Sequence, residues 1–321
     1  MLWSIGLLAS TEVPTDGRLS VRRKTNPQAI ADIVSGDTSL LFDPHRSIVV
    51  LIHGYNVDED EAQEDYDRFY GKVAAIMPNK RLPPGVSVLG FHWPGDVTRK
   101  FLRPLRSSVS FGHRLAAATL SGERLAACLQ HARAREIFVV AHSLGTRVAL
   151  TALRQSQSAE GTEPTKLRTL RRAILMAGAV TEAACRTSSD FTRPTGDQPE
   201  FSANLLAAGD YWNLHSTEDG VLWGPFRLAM FVEGEASLAI GHKGGPRGRW
   251  GSNVINTHRL HGEYWDYAHA HRLLAEAISP TMVRAGKPSR ELPKRKLPDW
   301  NRKVSSCLRH LRSGALYEGL L

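Results

Sequence analysis

The chain has 321 residues, of which 42% are hydrophobic and 23% charged, with a net charge of +9. That size and composition exclude a wholly disordered chain and suit one large domain with a substantial core. Ten Lys/Arg against three Asp/Glu in residues 281–321 carry +7 of the charge and leave +2 for the other 280, so the basicity belongs to a tail and does not point to nucleic acid.

Taken in chain order, short β-like runs alternate with longer helical stretches, the pattern of an α/β layered fold. A pair of strands is expected at about 2–10 and 17–22. The apolar start, Met1-Leu-Trp-Ser-Ile-Gly-Leu-Leu-Ala-Ser10, lacks a basic n-region and is too short to span a bilayer. Ser47-Ile-Val-Val-Leu-Ile52 is a continuous β-branched run without alternation, which predicts a central parallel strand buried on both faces. The acidic stretch from Asp58 opens a helix that runs to Met77, its negative charge facing the positive end of the helix dipole. Further strands are expected at 86–91, 137–140, 173–176, 211–215 and 252–257, with helices at 109–131, 144–155 and 263–279. This divides the chain into a domain at 1–280 and a tail at 281–321. Cys128, Cys185 and Cys307 have no pairing or metal-ligand spacing, which suits a reducing, cytoplasmic setting.

The strongest motif is Glu136-Ile-Phe-Val-Val-Ala-His-Ser-Leu-Gly145, a buried strand running into small-x-Ser-x-Gly and then into a helix. A tight strand-to-helix turn of this kind projects Ser143 Oγ into the open, and small residues at 141 and 145 let the two backbones approach. Ala141 stands where the pattern usually has Gly. The competing reading is a serine that only caps a helix. The Leu144 N–H lies at the helix start and is a natural oxyanion donor. A second motif, Leu51-Ile-His-Gly-Tyr-Asn-Val57, ends the earlier strand; Gly54 lets that loop bend into the site, and the N–H of Tyr55 or Asn56 would supply the other donor.

Ile52-His-Gly-Tyr-Asn-Val57, Gly90-Phe-His-Trp-Pro-Gly95 and Ala141-His-Ser-Leu-Gly145, in that order, resemble an uncharacterised bacterial family of α/β-hydrolase-fold proteins, the domain of unknown function numbered 900, known only as predicted esterase- or lipase-like hydrolases. Similar segments continue in Tyr211–Leu222, Ala239–Gly244 and His261–Trp265, so the likeness covers about 45–275. It implies a mostly parallel sheet of about eight strands with helices on both faces. It also implies Asp219 as the acid and His261 as the base of a Ser-His-Asp triad with Ser143. Glu218 is the rival acid. The base belongs on a loop after the last strand, where His258 qualifies as well as His261. Asn256 stands where the family has an acidic residue.

Gly54, Asn56, His142 and Trp93 complete the expected substrate-binding set around Ser143, Leu144 and Tyr55. His53 and His92 sit at strand ends on the same rim, but without a carboxylate or cysteine spacing they are read as structural, and no metal or cofactor is implied. His269 and His271 lie two apart in a helix and point to different faces. Residues 96–112 and 183–208 are where substrate selection is expected; Phe101, Leu102, Leu105 and Phe111 alternate there with basic residues. In the tail, Val304, Leu308, Leu311 and Ala315 recur at helical spacing among arginines and lysines, a pattern that suits either an anionic membrane surface or docking on the domain itself. The expected activity is hydrolysis of a small-molecule or lipid ester. The alternatives are a lipase or phospholipase working at a membrane, and a non-catalytic binding scaffold on the same fold.

Overall fold

A computed structural model describes residues 15–96, 111–157, 170–185, 201, 210–232, 237–245 and 253–279. The strand expected at 2–10, most of the two segments expected to select substrate, and the tail lie outside the described residues.

Eight strands form one sheet: β1 Gly17–Arg23, β2 Asn26–Gly36, β3 Ser47–Ile52, β4 Val86–His92, β5 Glu136–His142, β6 Leu170–Met176, β7 Asp210–His215 and β8 Val254–Asn256, in the order β2-β1-β4-β3-β5-β6-β7-β8. Among these eight strands only the β1–β2 pair is antiparallel. β3 is buried at every position and sits between β4 and β5, with Val50 opposite Leu89 on one side and Val139 on the other. A strand flanked on both edges and covered on both faces needs apolar side chains throughout, which is why its sequence shows no alternation.

The helix α1, Glu59–Ile76, is started by a capping box: Asp58 accepts the Glu61 N–H, and Glu61 reaches back to the Asp58 N–H. Its buried Ala62, Tyr66, Phe69 and Val73 recur at helical spacing and face the sheet. The β3–α1–β4 crossover runs towards one edge of the sheet. The crossovers through α2, Phe111–Gln130, and α3, Gly145–Gln157, run towards the other. Right-handed connections of opposite direction put α1 on one face and the α2–α3 pair on the other. Gly122 lets α2 and α3 touch: a Cβ there would meet Thr151 Cβ and the Val148 carbonyl at 2.6 Å.

Three features differ from expectation. β2, the antiparallel partner of β1, has no announcing pattern because it is an edge strand, with Ile33 74% exposed. The stretch after β7 folds into a π-helical turn, Leu222–Phe226, that continues as α4, Arg227–Val232, and is followed by the short α5, Ile240–Lys243. The helix expected at 263–279 begins instead as 3₁₀ turns over His261–Asp266 and becomes α-helical only as α6, Ala268–Ile278. α6 packs beside α1, so it belongs to the α1 face.

Candidate active site

The site is built at the carboxyl ends of the parallel strands, where loops of an open α/β sheet converge. The turn between β5 and α3 holds Ser143 at φ +53°, a left-handed conformation that costs a non-glycine residue about 1 kcal/mol or more. Three backbone hydrogen bonds impose it. The Ser143 N–H donates to Met176 O at 2.9 Å, and its carbonyl accepts from Thr146 at 3.1 Å and Ala179 at 3.0 Å. Gly145 is required by contact: a Cβ would lie 2.3 Å from the His53 carbonyl oxygen.

From Ser143 a hydrogen-bonded chain runs inward. His261 Nε2 is 2.9 Å from Ser143 Oγ, and His261 Nδ1 is 2.8 Å from Asp219 Oδ2. Asp219 is fully buried, and its other oxygen accepts the Val221 and Leu222 N–H groups at 3.1 and 3.0 Å as the π-helical turn begins. These bonds aim one oxygen at the imidazole. They also hold the tautomer in which Nδ1 carries the proton and Nε2 accepts from the serine. The rivals pair with each other: His258 Nδ1 lies 2.9 Å from Glu218 Oε1, on a half-exposed surface, and makes no bond to Ser143. Asn256, at the end of β8, reaches Thr217 rather than the imidazole.

Beneath Ser143 is a row of buried histidines. His142 Nε2–H donates to the His261 carbonyl at 2.8 Å, and the two rings lie 5.0 Å apart. Burial, then the neighbouring His261, pushes His142 down to about 3, so it stays neutral. His53 donates from Nδ1 to Gly54 O at 2.9 Å and accepts the Trp93 N–H at 3.3 Å; burial holds it at about 3. His92, 6.2 Å from His53, is pushed by burial to about 2. Among the described residues no group of three His, Cys, Asp or Glu is placed to hold a metal.

The second strand-end loop folds over Ser143. A Cβ on Gly54 would lie 2.8 Å from Ser143 Cβ, and one on Gly95 would lie as close to the Gly54 carbonyl oxygen. The Asn56 N–H is committed to Gly95 O at 2.8 Å, which removes it from the candidate oxyanion donors.

The profile of a family described as "Alpha/beta hydrolase of unknown function (DUF900)" matches residues 35–202. The chain belongs to that family. Among solved structures, an iodinated complex of an acetyl xylan esterase is similar at 14% identity and a TM-score of 0.32, over 72% of this chain and 98% of the other. A cutinase-like protein from Cryptococcus sp. is similar at 12% identity and a TM-score of 0.31, over 73% of this chain and 93% of the other. No curated protein matches the chain.

Within this α/β-hydrolase fold, a cavity of about 270 Å³ opens at Ser143 and His261. Tyr55 and Asn56 form one wall; Val221, Leu222, Pro225, Phe226 and Ala229 form the other, with Ala179 beside the serine. Of the residues expected to bind substrate, Asn56 lines it. Gly54, His142 and Trp93 do not, because the strand ends carry them under Ser143. Trp93 is fully buried, stacked 5.5 Å from the His53 ring, with its indole N–H on the His53 carbonyl at 2.9 Å. The apolar wall from 221 to 229 was missed by sequence reasoning. Its one signal was the apolar run Val221-Leu-Trp-Gly-Pro-Phe-Arg-Leu-Ala-Met-Phe231 shortly after Asp219. Among the described residues no helix is long and apolar enough to cross a membrane.

Proposed function

We propose that this protein is a serine hydrolase that cleaves carboxylic esters through an acyl-enzyme. The carrying observation is the unbroken chain Asp219–His261–Ser143, at 2.8 and 2.9 Å, ending on a serine held in a left-handed turn at the mouth of a cavity. In this reading Ser143 Oγ attacks the ester carbonyl carbon as His261 Nε2 takes the hydroxyl proton. The Leu144 and Tyr55 N–H groups stabilise the oxyanion. Collapse breaks the C–O bond, and the alcohol leaves with the proton held by His261. Water then attacks the acyl-Ser143 ester with His261 again as base, releasing the acid and the free serine. Asp219 holds the imidazole in orientation throughout. No cofactor takes part in these steps.

Release of p-nitrophenol from p-nitrophenyl butyrate tests the proposal. Wild type is expected to turn over and Ser143→Ala to fall by on the order of 10⁴ or more. Equal rates for the two proteins would remove Ser143 as the nucleophile. No turnover by folded wild type on any simple ester would favour a binding scaffold.

A further inference from the structure

The cavity beside Ser143 suggests which esters this site takes, an inference that rests on the proposed serine mechanism. Leu222, Phe226 and Ala229 are 1–3% exposed, so this wall is a packed apolar surface and not a mobile rim. It is fixed from two sides. The Asp219 carboxylate caps its first turn through the Val221 and Leu222 N–H groups, and α4 continues it without a break. Val221, 45% exposed, stands at the mouth. The described lining residues include no Asp, Glu, Lys or Arg, so none of them compensates a charged substituent.

Size sets the second limit. A methylene takes up about as much room as a water molecule in the liquid, roughly 30 Å³. The 270 Å³ cavity therefore holds about nine such groups, including the reacting carboxyl. That is the small end of ligand pockets, which run from about 300 Å³ upward. We infer that the site takes uncharged esters carrying one apolar chain of up to about eight carbons, seated against Leu222, Phe226 and Ala229, and that this wall sets chain length.

Ala229 and Phe226 are the residues to change. Ala229→Leu adds three carbon groups to the cavity, and Phe226→Ala removes most of a ring. A methylene that no longer fits a hydrophobic pocket costs about 10-fold or more in kcat/KM. The experiment measures kcat/KM for p-nitrophenyl esters from acetate to palmitate, and for acetates of linear alcohols from ethanol to decanol. Wild type is expected to peak at four to eight carbons, roughly, on one of the two series and to reject a succinate half-ester of equal length. In Ala229→Leu the octanoyl-to-acetyl ratio on that series should fall about 10-fold, and in Phe226→Ala the peak should move to longer chains. The two variants act in opposite directions, so failure of either to fold leaves the other as the test. A flat chain-length profile in wild type, or an unchanged profile in both variants, overturns the inference. Labelling of Ser143 by a small fluorophosphonate separates the two levels. Labelling with a flat profile sinks only the chain-length inference, whereas absence of both labelling and turnover sinks the serine mechanism and this inference with it.

Discussion

Acidification from pH 7.5 to 5 should destabilise the fold through histidines that are buried without charge. His53 and His142 are pushed to about 3, His92 to about 2 and His271 to about 4, in each case first by burial. In the unfolded chain each returns to an ordinary value near 6.5. The folded values are the lower ones, so below pH 6.5 the unfolded state binds more protons. The contribution is therefore complete above about pH 6.5 and is lost as pH falls towards the folded values. At pH 5 each of the four loses about 2 kcal/mol, or about 8 kcal/mol together. Asp65 works in the opposite direction. Burial raises it to about 6, above its unfolded value, so between pH 7 and 5 it returns about 1 kcal/mol. The net loss, about 6–7 kcal/mol, is comparable with the whole stability of a typical domain. His215, His242 and His269 are shifted downward as well and add to it. Urea unfolding followed by tryptophan fluorescence at pH 7.5, 6.5, 5.5 and 5 measures this directly. His271→Gln, which keeps an N–H for the Trp265 carbonyl, should lessen the fall to pH 5 by about 2 kcal/mol. A urea midpoint that stays constant from pH 7.5 to 5 would refute neutral burial of these histidines.

Other perturbations separate the residues around the serine. His142→Ala removes the donor to the His261 carbonyl and should lower kcat about tenfold with little change in KM, while His142→Gln restores part of the loss; a change confined to KM would argue against a positioning role. Asp219→Asn should cost about 10³–10⁴ in kcat because it favours the wrong tautomer, whereas Glu218→Gln should cost no more than a few-fold. Equal losses in those two variants would mean that the acid is misassigned. Gly145→Ala places a Cβ 2.3 Å from the His53 carbonyl oxygen and should destabilise by about 1–3 kcal/mol, read as a lowered urea midpoint.

Legibility in the sequence followed burial. β3, β5 and β6 announce themselves as apolar runs because the sheet covers both their faces, and Ser143 stands out because a strand, a tight turn and a helix meet at five residues. β2 gives no such signal, since an edge strand with most residues partly exposed has no face that must be apolar. The π-helical turn at 222–226 was hidden for a different reason. Its Gly224-Pro225 pair reads as a chain break, and a single i→i+5 turn has no periodicity to detect. Glu218 and Asp219 are adjacent and chemically alike, so no pattern separates them. Packing does: the shorter side chain turns inward, with Oδ1 on two backbone amides, and the longer one turns outward to His258. His142, His53 and Trp93 were visible as motif residues, but their place under the site depends on how three strand ends cross, which one-dimensional spacing does not carry.

The central claim is that Ser143 is a nucleophile activated by His261, and labelling by a fluorophosphonate across four proteins tests it most directly. Wild type and His258→Ala are expected to label at comparable rates, Ser143→Ala not at all, and His261→Ala at least about a hundredfold more slowly, since His258 is paired with Glu218 whereas His261 meets the serine hydroxyl. Labelling that survives in Ser143→Ala, or that is lost in His258→Ala and kept in His261→Ala, would contradict it.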